Sequence, residues 1–118
     1  MVKVLASPIN PSDIFFMRGK YHLFDIFPLK YPTVSGWEGS GIVVASGGGF
    51  MAWKAMGKRV AFAVAGDHPE FSKTGGAHQQ YTVVPAMNLN YLPDSIPSDI
   101  GSMHFVNPLT AIGLVERC

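Results

Sequence analysis

The chain has 118 residues, of which 47% are hydrophobic and 14% charged, enough apolar side chain for one continuous core in one domain. Its formal net charge of +1 comes from scattered Lys and Arg, so the positive potential that a nucleic acid or an anionic membrane surface requires is concentrated nowhere, and neither is predicted as a partner. One cysteine, Cys118, excludes an internal disulfide and a cysteine zinc cluster. No apolar run approaches the roughly 20 residues needed to cross a bilayer.

Met1 to Ala6 sets Val2 and Val4 on one face and Lys3 on the other, the period of a half-buried strand. Asn10-Pro11-Ser12-Asp13 then combines a capping residue, a proline suited to the first helical position and an acid in the first turn, which predicts a short helix to Arg18. Gly19 fits a left-handed helix end, and Pro28 and Pro32 predict an exposed loop over residues 19–35. Strands are predicted at Ile42 to Ala45, Arg59 to Val64, Ala77 to Val84 and Leu89 to Leu92, with a glycine turn over Ser46 to Gly49. Ser98 is placed to cap a helix through Met103, and Asn107-Pro108 repeats the signal for a second helix. Short strands without alternating helices predict a mostly β barrel or sandwich. Met1 to Leu5 reads as a strand already in progress and Leu109 to Cys118 as a helix stopped partway, so a piece of a larger protein is expected.

Gly36, Gly39 and Gly41 precede a strand, whereas a phosphate loop precedes a helix, so tight backbone packing is the better reading. His22, His68, His78 and His104 have no close spacing of the kind that pairs metal ligands, and read as surface or loop histidines with no metal site. Tyr21 follows the first helix. Its phenol, with an ordinary pKa of about 10, can donate a hydrogen bond to a developing oxyanion, although packing is the simpler role for a tyrosine. Trp37 offers an apolar wall, and Glu38 beside it must find a partner or water. Trp53, Phe15, Phe16, Phe27 and Phe62 are assigned to core and pocket wall.

Ile9-Asn10-Pro11-Ser12-Asp13, Arg18-Gly19-Lys20-Tyr21, Pro32 through Gly41, Gly57-Lys58-Arg59-Val60 and Val106-Asn107-Pro108-Leu109-Thr110-Ala111, in this order and spacing, resemble the medium-chain dehydrogenase/reductase superfamily. The resemblance implies a GroES-like, partly open β-barrel over residues 1–106, without its first strands. It implies that 107–118 begin the helix leading to a Rossmann domain absent from this chain. Zinc alcohol dehydrogenases of the superfamily carry a cysteine ligand where Asn10 stands and a histidine ligand where Trp37 stands. The resemblance therefore narrows to the zinc-free branch of quinone, enone and 2-enoyl thioester reductases.

What that branch implies here is hydride transfer from NADP(H), more than NAD(H), to a conjugated carbonyl or quinone, with the cofactor bound mainly by the absent domain. Tyr21 matches the proton donor or carbonyl anchor, and Ser12 its helper. Asn10 matches a position near substrate and nicotinamide, Trp37 a pocket wall, and Asn107 and Thr110 a segment near the cofactor. The parent enzyme is expected to be a homodimer and the isolated chain inactive. Two rivals remain: a non-enzymatic GroES-like module that oligomerises, and a zinc alcohol dehydrogenase-like enzyme.

Overall fold

The computed structural model describes residues 1–20, 32–64 and 75–117. The expectations for Tyr21, His22, Phe27, Pro28 and His68 therefore lie outside the described residues.

β1 (Val2–Ala6) pairs antiparallel with β2 (Glu38–Val43), Val2 facing Val43 and Val4 facing Gly41, before the register slips between Val4 and Ala6. β3 (Arg59–Ala63) pairs antiparallel with the other side of β2. β4 (Tyr81–Thr82) adds to β1 and β5 (Leu89–Tyr91) to β3, giving a five-stranded antiparallel sheet in the order β4-β1-β2-β3-β5. Among the described residues β4 and β5 are its edges, and the sheet is open. The core is apolar: Val2, Phe16, Val43, Val60, Phe62, Val64 and Ala77 are buried together, with Val4, Trp37 and Leu89 packed against them.

β2 begins at Glu38, four residues before the strand predicted at Ile42. Its glycines, poor strand formers by propensity, belong there because no side chain fits. A Cβ on Gly41 would collide with the Lys3 carbonyl oxygen and stand 2.7 Å from Val2 Cγ1, and one on Gly39 would stand 2.9 Å from Phe62 Cζ. The glycine run thus serves strand packing.

α1 (Pro11–Met17) follows the prediction, with Asn10 at its cap and Gly19 at φ 64° just beyond its end. α2 (Phe50–Lys54), one turn long, was not expected from the sequence. It corrects the assignment of Trp53 to the core: Trp53 is 67% exposed and stacks at 6.1 Å on Phe50, itself exposed, while the segment's inward contact is Ala55. Phe15 is likewise exposed, because α1 turns Phe16 inward instead; Phe62 is fully buried.

The strand expected over Ala77 to Val84 shrinks to two residues, because the backbone of 76–78 bonds back to Val34, Gly36 and Ser35 rather than to a strand. α3 (Ser98–Gly101) is shorter than predicted, and Pro97, not Ser98, occupies its cap position. The Ser98 carbonyl instead accepts a 2.5 Å hydrogen bond from Ser40 Oγ, which seats α3 on β2. α4 (Val106–Arg117) starts one residue before Asn107, so Asn107 and Pro108 lie inside its first turn.

Candidate functional site

Three segments far apart in sequence meet where β1 passes into α1. The chain between them, Ser7 to Asn10, is irregular and is held by side chains. Ser7 Oγ donates to the Glu38 carbonyl at 2.8 Å. His78 Nε2 lies 3.0 Å from the Pro8 carbonyl, and Nδ1 lies 2.8 Å from Ser35 Oγ. A carbonyl can only accept, so Nε2 carries a proton and donates to it, while Nδ1 pairs with the serine hydroxyl. His78 is therefore a partly buried tie between two segments, not a surface histidine.

Asn10 is 4% exposed. Its backbone N–H donates to Asp13 Oδ2 at 2.8 Å, as in the capping box that opens α1. Nδ2 donates to Glu38 Oε1 at 3.3 Å, and Oδ1 accepts from Asn107 Nδ2 at 3.3 Å. Glu38 is fully buried, and its other oxygen accepts the backbone N–H groups of Phe105 at 2.9 Å and Val106 at 3.0 Å. These groups open α4, where a helix has unpaired donors and favours negative charge. Asp13 is also fully buried, and its Oδ1 has no partner among the described residues.

Of the candidates drawn from the sequence, Asn10 and Asn107 are in direct contact. Ser12 is half-buried in the first turn of α1. Trp37 is half-buried and meets Phe16 edge to face, centroids 5.4 Å apart, as a wall residue would. Thr110 is exposed and donates to the Val106 carbonyl at 2.7 Å, a bond within its own helix. Glu38 and Asp13 were not among the candidates. The one signal for Glu38 was a carboxylate between glycines, which had to find a partner or water but named neither.

His104 is partly buried, with Nε2 3.1 Å from Asn90 Nδ2. Burial lowers its pKa, and the negative charge of Glu38 partly opposes the shift. As donors for a metal, the residues at the two superfamily ligand positions are a poor set: the indole N–H of Trp37 can only donate, and both ends of the Asn10 carboxamide are engaged. No group of three or more His, Cys, Asp or Glu among the described residues is placed to hold an ion.

The fold has known counterparts. The model of the alcohol dehydrogenase GroES-like domain family matches residues 1–94, and the chain belongs to that family. It is 36% identical over 111 residues to the mitochondrial enoyl-[acyl-carrier-protein] reductase of Bos taurus, covering 93% of this chain and 26% of that protein. A crystal structure from Mesorhizobium loti, assigned as an NADPH:quinone reductase, superposes with a TM-score of 0.81 at 35% identity, covering 98% of this chain and 30% of that one. A second such structure, from Bacillus thuringiensis, gives 0.72 at 32% identity over 94% of this chain and 29% of that one. The resemblance to medium-chain reductases and the GroES-like fold are both borne out. The chain spans at most about three-tenths of these relatives' length.

Proposed function

We propose that this chain is the substrate-binding part of an NAD(P)H-dependent oxidoreductase that reduces a quinone, enone or 2-enoyl thioester without zinc. The observation that carries the reading is the bond between Asn10 and Asn107, 97 positions apart, which joins the segment expected at the substrate to the one expected at the cofactor. In this reading residues 1–106 form the substrate domain and 107–118 begin the connection to a nucleotide-binding domain. The apolar residues left exposed on α4, Leu109, Ile112, Leu114 and Val115, suit such a neighbour. NADPH is favoured over NADH because both structural relatives are assigned as NADPH enzymes. The poor metal donors at Asn10 and Trp37 support the zinc-free assignment.

The nicotinamide, when bound, supplies the hydride. The chain's residues then place the acceptor and steady the negative charge that develops on its oxygen. In this reading Tyr21 is the hydrogen-bond donor to that oxygen, Ser12 a second donor and Trp37 the apolar wall of the pocket. Asn10, held at both ends of its carboxamide, is a fixed polar point between substrate and cofactor.

The test is a chimera in which this chain replaces the matching segment of the Mesorhizobium loti protein, treated with chelator. NADPH oxidation is followed with a short 2-enoyl-CoA and with an ortho-quinone. Turnover of either supports the reading, and the preferred substrate assigns the class. A folded chimera that binds NADPH yet turns over neither, or one that requires added zinc, overturns it. Tyr21→Phe in an active chimera should lower the rate about 10²- to 10³-fold, the usual cost of losing one oxyanion donor; an unchanged rate reduces Tyr21 to pocket wall.

A further inference from the structure

We infer that Glu38 is a positioning residue that sets the direction of an amide relay, and thereby determines that Asn107 turns a hydrogen-bond acceptor outward at the start of α4. The direction follows from which groups have only one role. A carboxylate accepts, and the backbone N–H groups of Phe105 and Val106 donate, so they occupy Oε2. Oε1 must then face the NH₂ of Asn10, at 3.3 Å. That turns Asn10 Oδ1 towards Asn107, whose NH₂ approaches it at 3.3 Å. The carboxamide oxygen of Asn107, an exposed residue, is left for the site. An acceptor there suits a ligand bearing an amide NH₂ or a hydroxyl. Only the identity of that ligand rests on the reductase reading.

The same geometry predicts how the relay reverses. In Glu38→Gln the amide oxygen keeps the two backbone N–H groups, and the new NH₂ faces Asn10. Asn10 then flips to offer its oxygen to Gln and its NH₂ to residue 107. Each donor remains paired, so the fold is kept, but position 107 must now accept. An aspartate at 107 can only accept. In the wild-type background it sets oxygen against Asn10 Oδ1, whereas in the Gln background it meets an NH₂.

The experiment is a double-mutant cycle read as the melting temperature of this chain, independent of any reductase activity. Asn107→Asp should lower the melting temperature by about 3 °C in the wild-type background, and Glu38→Gln should remove or reverse that loss. Thr110→Asp places the same charge one turn along α4 and is the control for simple repulsion from Glu38. Its effect should be the same in both backgrounds. Three outcomes overturn the relay: an equal loss from Asn107→Asp in both backgrounds, equal relief of Asn107→Asp and Thr110→Asp, or a Glu38→Gln chain that does not fold.

Discussion

Replacing Glu38 by leucine should cost this chain about 2–4 kcal/mol, although leucine fills much the same space in the fully buried site. The buried carboxylate accepts three N–H groups, and leucine accepts none. Asn10 is 4% exposed, so water cannot replace the lost acceptor, and a buried unpaired donor costs about 1–3 kcal/mol. The bonds from the Phe105 and Val106 N–H groups are only part-buried, so these add about 1 kcal/mol more. Relief from burying a carboxylate offsets part of this and places the net cost towards the lower end of that range. Removing one partner of a buried polar set nevertheless usually destabilises, because the others stay behind. Against a total stability of about 5–15 kcal/mol the change is large. Urea unfolding measures the loss, and amide hydrogen exchange at Phe105 and Val106 locates it. A Glu38→Leu chain as stable as the wild type, with exchange at α4 unchanged, would show that the carboxylate anchors nothing.

Phe62→Ala, at a fully buried site, should cost about 3–5 kcal/mol, whereas Trp53→Ala, at 67% exposure, should stay within about 0.5 kcal/mol; urea midpoints compare them directly. Gly41→Ala should break the pairing of β1 with β2, since the added methyl meets backbone as well as the Val2 side chain, and circular dichroism should report lost strand content. His104 has its folded pKa lowered from 6.5, so the unfolded chain binds the extra proton first as pH falls. Its contribution is present in full above about pH 6.5 and is lost below that value until the folded pKa is passed. Melting temperatures from pH 7.5 to 5.5 should fall in the wild type and fall less in His104→Gln.

Much of the sheet was legible because β1 and β3 follow simple patterning, and α1 was legible because Asn10, Pro11, Asp13 and Gly19 are local signals acting at fixed offsets. β2 was read four residues late because propensity penalises glycine, while the register of β2 against β1 requires it at Gly41. The exposure of Trp53 and Phe15 was not legible, since an aromatic residue has the same apolar character whichever way one helical turn faces it. In the site, Asn10 and Asn107 were located through the resemblance. Glu38 escaped because its importance lies in partners 28, 67 and 68 positions away, which no local pattern encodes.

The position of Asn10 is governed by polar contacts more than by the apolar core. Between the end of β1 and the start of α1 the backbone has no ladder, so successive groups from Ser7 to Asn10 need separate partners. Ser7 is tied to the Glu38 backbone, Pro8 to His78, and Asn10 to Asp13, Glu38 and Asn107. These partners come from α1, from β2, from the bend before β4 and from α4, so four parts of the fold fix the segment. Of these ties, the carboxylate of Glu38 alone reaches both Asn10 and the α4 backbone. A change at Glu38 should therefore move Asn10 and α4 together. A change at His78 should loosen Pro8 and leave α4 in place, so hydrogen exchange in Glu38→Leu and His78→Ala should differ at Phe105 and Val106.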